Sequence, residues 1–561
     1  MPRDVNYEID RFNSEQQVGG STMRGNENRN MAETIESNHT VVVDESITPN
    51  ALRFSAVFNV AVPFIDRHVS EGRGSRVALR HDAGEITYAQ LAENVNRAGN
   101  ALLKLGLISG DRLVMAALDG PMFFYVFWGA IKAGIIPIGA STFLKAGDYQ
   151  YLIADAQCVG FVYSSALAAE VADIARSSPH LRVVLPIDGR GSLAELIAAA
   201  SPKLDPAPTT AMTDCFWLYS SGSTGHPKGV VHVHRDMVVT SERYGRKIAG
   251  IEPDDIVFCA SKLFFSFGFG GGMTFPLWVG ASIVVQPERT TAELALDYLE
   301  RSGATVFFGV PTLYGQMVHA CEKRPRHLSA LRRCLSAGEA LPATIFNRWK
   351  ELTGVSILDG IGSTEVLHIF ISNRIDDIRP GSSGRPIPGY EVKIIGEDGK
   401  VMPNGEIGTL WVKGESNARC YWNNPEKSQK TMVGEWLNTG DMYYVDPDGY
   451  YVNAGRGDDM LKVGGMWCSP IEIEAKLLEH PKVREAAVIG RSDENNLIKP
   501  AAFLVLRNPE DENDSLAAEL QQYCKEQLSG FKYPRWIHFV RELPKTVTGK
   551  IQRFKLRQIS S

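Results

Sequence analysis

Between residues 85 and 360 of this 561-residue chain, short apolar runs alternate with amphipathic stretches. That alternation leaves few folds open. RLVMAAL (112–118), IIPIG (135–139), VGFVYSS (159–165), LRVVLPI (181–187), CFWLYSS (215–221), TVFFGVP (305–311) and VSILDG (355–360) read as strands. They are apolar almost throughout, the mark of strands buried on both faces. Helices between them then cover parallel sheets from both sides, an α/β architecture. A helix is expected to start at Pro121, where a missing N–H costs nothing. The stretch MFFYVFWGAIKAGIIPIG (122–139) looks membrane-like, but it contains Lys132 and is interrupted by Gly134 and Pro137. A helix ending near Lys132 and a buried strand account for it better than a span.

The texture changes after residue 380. YEVKIIGEDGKVMPNGEIGTLWVKG (390–414) holds two strand-like runs around an Asp398-Gly399 turn, which predicts antiparallel β structure. After GRGDDMLKVGG (455–465) a small α+β pattern follows: a helix near 470–480, strands near 483–490 and 499–506, a helix near 514–528 and a strand near 535–540. The expected division is a disordered leader over 1–45, a large domain over 46–457 whose part 380–455 is a small β-barrel-like subdomain, and a small mobile α+β domain over 458–561.

Composition narrows the function classes. Hydrophobic residues make up 44% and charged residues 22%, which excludes a mostly disordered or fibrous chain. With 59 Lys+Arg against 65 Asp+Glu the net charge is −6, so no nucleic-acid partner is expected. None of the eight cysteines forms a CxxC pair, which argues against a zinc site or a disulfide scaffold and for a reducing compartment. The opening MPRDVNYEID has no apolar run, so no secretory signal and no membrane partner are expected, and the localisation is read as cytoplasmic. A homodimer is left open.

The segment YSSGSTGHPKGV (219–230) carries the strongest chemical signal. Ser220, Ser221, Ser223 and Thr224 supply hydroxyls. Gly222, Gly225 and Gly229 let backbone N–H groups approach an anion, and Lys228 adds a point charge. Pro227 before the lysine and Gly229 after it depart from the GxxxxGK[ST] loop, so this is a phosphate loop of another kind. His232 and His234 alternate, which would put both on one side of a strand; an ordinary strand face is favoured over metal ligation.

This segment resembles the phosphate-binding signature of the acyl-adenylate-forming superfamily, and further motifs follow in that family's order. SAGEALP (336–342) resembles its adenine-side segment, with Gly338, Glu339 and Ala340. DGIGSTE (359–365) resembles the segment that, by that likeness, sets Asp359 and Gly360 at the adenine, Thr364 near the phosphate and Glu365 on Mg2+. The resemblance implies that Asp441 of NTGD and Arg456 hold the ribose, that Asp458 is a hinge, and that Lys550 of LPKTVTGKIQR is the catalytic lysine. It places Lys462, Gly464, Gly465 and Trp467 at the coenzyme A tunnel once the small domain has rotated. ATP, Mg2+ and coenzyme A are the implied cofactors and co-substrates.

Chemistry agrees with that likeness. A carboxylate is a poor acylating agent, and attack on the α-phosphate of ATP converts it to an acyl-AMP anhydride. Charge that builds at the phosphate must be met by fixed donors and cations. The Phe- and Gly-rich stretch SKLFFSFGFGGGMTFPLWVG (261–280) suits a flat apolar acid. Phe265, Phe267, Gly268, Ile361 and His368 are the expected acid-pocket residues. Together these segments look most like aryl-CoA ligases of the benzoate, hydroxybenzoate and 2-aminobenzoate type, although Ser266-Phe267 stands where those benzoate ligases carry Ala-Tyr. The expected activity is ATP-dependent ligation of an aromatic acid to coenzyme A, with release of AMP and pyrophosphate. The alternatives are another acid (cinnamic or medium-chain fatty), a carrier-protein acceptor, or a nucleotide-binding protein without catalysis.

Overall fold

The computed structural model describes residues 37–174, 178–220, 227–463, 466–494, 497–528, 530–546 and 550–559. The apolar runs form strands where the pattern predicts them. Arg112–Ala116, Ile136–Gly139, Gly160–Tyr163, Val183–Pro186 and Asp214–Ser220 pair in parallel in the order 183, 160, 112, 136, 214, named by first residue. Lys228–Val233 and Cys420–Tyr421 extend this sheet antiparallel, to seven strands among the described residues. In a second sheet, of nine strands, Ile357–Gly362, Arg333–Ala337, Val306–Gly309, Ile256–Cys259, Ser282–Val284 and Val77–His81 run parallel between antiparallel edges.

The two sheets enclose a shared core. At its centre the helices Tyr88–Lys104 and Pro121–Lys132 cross. Thr87 and Gln90 start the first helix by reciprocal capping bonds. The second is buried along nearly its whole length, which is why its sequence looks membrane-like. Its Lys132 is also buried, with Nζ 2.7 Å from Asp66 and 2.6 Å from Asn96, so the charge is paired rather than stranded. Among the described residues no helix is long and apolar enough to cross a membrane.

Tyr390–Ile395, Gly408–Gly414 and Trp436–Val445 form an antiparallel sheet with Met432–Val433 and Tyr451–Arg456. The C-terminal part is an α+β unit. Val483–Ser492 pairs antiparallel with Ile498–Leu506, which pairs parallel with Trp536–Phe539, and the helices Pro470–Leu478 and Asp514–Gln527 accompany them. One expectation reaches too far: Val41–Asp44, inside the supposed leader 1–45, is a strand paired with Ala51–Phe54. Its Val-rich pattern was masked by the polar residues around it. Residues 1–36 lie outside the described residues.

The helix crossing depends on two glycines. A Cβ at Gly129 would lie 2.7 Å from the Gly99 nitrogen and 2.7 Å from the Val95 oxygen, both backbone atoms that cannot turn aside. Gly129→Val is therefore expected to cost about 2 kcal/mol or more, seen as a lower thermal midpoint. Gly147→Ala, where a Cβ meets nothing within 4 Å, is the control and should leave the midpoint in place.

Candidate active site

Asp214–Ser220 returns as Lys228–Val233, with Ser220 opposite Lys228. The described residues on either side of the expected phosphate loop are thus two antiparallel strands. Ser221, Gly222, Ser223, Thr224 and Gly225 lie outside the described residues. Facing the hairpin, Ile357–Gly362 ends at Ser363, whose hydroxyl accepts the Val366 N–H at 3.3 Å and sets a short turn over Thr364–Val366.

That turn drives Glu365 against the hairpin. Ser220 Oγ donates to Glu365 Oε1 at 3.2 Å and the Tyr421 hydroxyl donates to the same oxygen at 2.9 Å. Lys228 Nζ stands 4.0 Å from that oxygen and 4.2 Å from the centre of the Tyr421 ring. Burial lowers the Lys228 pKa, and Glu365 opposes that shift. Burial, then the Glu365 charge, raises that of Tyr421. Among the described residues no hydrogen bond reaches Glu365 Oε2. One carboxylate oxygen beside phosphate-binding hydroxyls fits Mg2+, which is commonly held by one or two carboxylates plus substrate phosphates. No group of three or more His, Cys, Asp or Glu suited to a metal occurs among the described residues.

The two histidines do not share a strand face. The ladder shifts register after His232, and His234 opens the helix His234–Thr240. His234 Nδ1 accepts the Val60 N–H at 3.1 Å. His232 reaches the Thr364 carbonyl at 2.8 Å instead. A period-2 reading could not see the irregularity that separates them.

On the adenine side, Arg333–Ala337 delivers Gly338, Glu339 and Ala340, with Gly338 at φ +97°. Asp359 lies opposite Ser336 in register, and burial pushes its carboxyl up to about 8. Gly360 follows it on the same strand. Burial raises the Glu339 carboxyl as well, against the Thr312 hydroxyl at 2.9 Å. Asp441 and Arg456 face each other across a strand pair, 3.0 Å apart. Asp441 is raised by burial and pulled back by Arg456, while Asp441 raises Arg456.

The tail lysine enters this cleft. A Cβ built on Gly338 would lie 3.6 Å from Lys550 Cε and 4.0 Å from Nζ. The Lys550 charge acts on both Asp441 and Glu339. Lys550 is steadied by its own turn: its N–H meets Thr546 Oγ1 at 3.0 Å and its carbonyl accepts the Thr546 N–H at 2.7 Å.

An aromatic cluster forms around His368. His368 stacks on Phe267 with ring centres 5.6 Å apart and meets Phe275 edge-on at 4.5 Å. Phe308 meets Phe267 edge-on at 5.6 Å, and Ile361 belongs to the same apolar cluster. Burial holds His368 neutral, lowering its pKa to about 3. Gly268 is required by close approach, since a Cβ there would sit 2.1 Å from the Lys262 oxygen. Phe265 is half-buried and packs on Phe264 at 4.5 Å. The Phe-rich segment is helical, as Ser266–Phe269, Gly270–Thr274 and Phe275–Val279.

The residues expected at the coenzyme A tunnel sit elsewhere. Lys462 and Trp467 pair across the hairpin Leu461–Val463 and Met466–Cys468, and Lys462 bonds Glu397 at 2.8 Å. Gly464 and Gly465 lie outside the described residues. Asp458 follows Arg456 closely enough for its charge to act on that guanidinium. Sequence reasoning missed Tyr421, Phe308 and the contact of His232. Tyr421 lies 56 residues from Glu365 and belongs to no local motif. Phe308 sits in the strand run TVFFGVP, whose apolar pattern marked it as core.

Residues 66–422 match the AMP-binding enzyme family and residues 472–550 match its AMP-binding enzyme C-terminal domain. The chain belongs to the AMP-binding enzyme family. It is 48% identical to a benzoate–CoA ligase of Thauera aromatica over 92% of this chain and 99% of that protein. A crystal structure of an anthranilate CoA ligase in complex with anthranoyl-AMP superposes with a TM-score of 0.87 at 42% identity, over 91% of this chain and 98% of the other. A benzoate CoA ligase from Burkholderia xenovorans gives 0.83 at 43% identity, over 89% and 100%.

Two outcomes follow for the site. A Cβ on Gly270 would lie 2.3 Å from His368 Cδ2, so Gly270→Ala should displace His368 within the aromatic cluster. The KM for the acid should rise about tenfold or more while that for ATP stays within about twofold. Folding takes up a proton at Asp359 at pH values between the ordinary carboxylate range and about 8, so its contribution to stability falls as pH rises across that interval. In ligand-free protein, Asp359→Asn should therefore flatten the decline of the thermal midpoint between about pH 5 and about pH 8. Equal slopes for the two proteins would contradict a buried neutral carboxyl.

Proposed function

We propose that this chain joins an aromatic carboxylic acid of the benzoate type to coenzyme A at the expense of ATP. The acid sits at the Phe267–His368 cluster with its carboxylate toward the hairpin. One carboxylate oxygen attacks the α-phosphorus, the bond from that phosphorus to the bridging oxygen breaks, and pyrophosphate leaves. The thiol of coenzyme A then attacks the carbonyl of the acyl-AMP, loses its proton, and AMP leaves. The observation that carries this reading is the Lys550 ammonium over Gly338, acting on both Glu339 and Asp441.

Each residue then has a task. Lys550 meets the charge that develops on the α-phosphate, and such a donor contributes on the order of 10²–10³ in rate. Lys228, Ser220 and the loop 221–225 hold the other phosphates. Asp441 and Arg456 hold the ribose, and Gly338 to Ala340, Asp359 and Gly360 frame the adenine. Thr364 and Glu365 face the phosphates, and Glu365 would hold Mg2+, whose bound charge would neutralise phosphate oxygens. The thioester step needs a second arrangement, with the domain beyond Asp458 turned so that the Lys462–Trp467 hairpin replaces Lys550. Supporting this, Lys462 now pairs with Glu397, away from Lys550.

The aromatic cluster favours a flat acid. Phe267 offers an edge without a hydroxyl, and Ser266 beside it is half-exposed, which suits benzoate bearing a small polar substituent as well as benzoate itself. No carboxylate lies in the segment 261–280 to pair with an α-ammonium group, which disfavours amino acids.

Pyrophosphate release and thioester formation over benzoate, 2-aminobenzoate, 3- and 4-hydroxybenzoate, cinnamate and octanoate, compared as kcat/KM, test the reading. A preference for octanoate, or acyl transfer only to a carrier protein, would overturn it. Lys550→Ala should lose adenylation by about 10²–10³ and still form thioester from supplied acyl-AMP. An equal loss in both steps would refute the division between them.

A further inference from the structure

A buried three-part chain runs from the floor of the large domain to the Thr364–Glu365 turn, and none of the roles proposed so far uses it. His232 is fully buried, and both ring nitrogens are engaged. Nδ1 lies 2.9 Å from Asp236 Oδ2, and Nε2 lies 2.8 Å from the backbone oxygen of Thr364, 132 residues away in sequence. A carbonyl oxygen only accepts, so Nε2 carries the hydrogen in that bond. Asp236 is fixed in turn, because its Oδ2 also accepts the Val233 N–H at 3.1 Å and it too is buried. The imidazole plane is set by stacking on Phe216, with ring centres 5.3 Å apart and 15° between planes. Phe216 stacks on Phe269 of the Phe-rich segment at 4.8 Å.

We infer that His232, oriented by Asp236, is a positioning residue for the phosphate- and Mg2+-facing turn of the adenylation step. The inference rests on the proposed function. Its physical content is simple. Thr364 and Glu365 stand on a short turn between two strands, and the Leu367 that follows has φ +71°, a conformation that L residues rarely adopt. Backbone bonds hold it locally, with the Leu367 N–H donating to the Thr364 carbonyl at 3.1 Å and the Ala418 N–H to the Glu365 carbonyl at 2.7 Å, and His232 adds a side-chain bond from a distant strand. Through the Thr364 carbonyl, His232 of the strand Lys228–Val233 holds the turn, while Ser220 and Tyr421 hold the Glu365 side chain. One strand thus supplies both the phosphate lysine, Lys228, and the clamp on the metal-facing turn, His232. The phosphate site and the carboxylate therefore keep a fixed separation when the C-terminal domain moves. Groups that hold a ligating residue in place typically change metal affinity or activity about 10–100-fold when removed.

The effect should fall on one half-reaction. Adenylation uses the Thr364–Glu365 turn against three phosphates, whereas thioester formation starts from an acyl-AMP with one. His232→Leu, which removes both bonds, and Asp236→Asn, which keeps an acceptor for Val233 N–H but loses the charge facing the imidazole, are compared with wild type. Acid-dependent ATP–pyrophosphate exchange should fall about 10–100-fold in His232→Leu and less in Asp236→Asn. Thioester formation from supplied benzoyl-AMP should fall at least tenfold less than exchange does. Calorimetry supplies a readout that needs no turnover: ATP should bind severalfold more weakly in the presence of Mg2+ and nearly as in wild type without it. Equal losses in the two half-reactions, or an unchanged difference between Mg2+-bound and Mg2+-free ATP affinity, would overturn the inference and leave His232 a core residue. If His232→Leu does not fold, Asp236→Asn with the same readouts decides the matter. Wild-type protein that exchanges pyrophosphate with no aromatic acid would instead overturn the proposed function.

Discussion

Everything at this site hangs from one half-buried carboxylate. Glu365 belongs to the turn after a strand of the nine-stranded sheet, yet its side chain is held by Ser220, Tyr421 and Lys228, all from the seven-stranded sheet. The Ala418 N–H also donates to its backbone oxygen at 2.7 Å. A carboxylate removed from water needs donors or a cation. Here the donors come from three separate strands, so the need of one charge ties the edges of two sheets together.

The C-terminal domain answers the same electrostatics from the other side. Glu339 and Asp441 are carboxyls raised by burial, and Lys550 and Arg456 offset that burial. Removing Lys550 from the cleft leaves both acids without that neighbour. The small domain thus meets the charged site of the large one through Lys550. Within the domain Arg553 bonds Glu474 at 2.8 Å, which ties the segment after Lys550 to the helix Pro470–Leu478.

The core strands were legible because burial on both faces forces an unbroken apolar run, a pattern visible in one dimension. The antiparallel hairpin over 390–414 was legible from its Asp398-Gly399 turn, with Gly399 at φ +79°. The helical form of the Phe-rich stretch was not legible, because four glycines lower helix propensity. Packing of Phe269, Met273 and Phe275 against the core, and the need for His368 and Phe308 to approach Gly270 and Gly271 closely, favour a helix there anyway. The strand at Val41–Asp44 was hidden because it is short and bounded by polar residues.

The order of the chemistry-bearing segments, the identity of Lys228, Glu365, Asp441 and Lys550 and the aromatic character of the cluster around His368 were set by the amino-acid sequence. These are properties of residue types in local order, and they survive without coordinates. The tertiary structure alone decided that Tyr421 and His232 hold the Thr364–Glu365 turn, that His232 and His234 part company, and that Lys550 lies over Gly338. Such contacts join residues tens to hundreds of positions apart. Their partners follow from how two twisted sheets pack, and no local spacing encodes that packing.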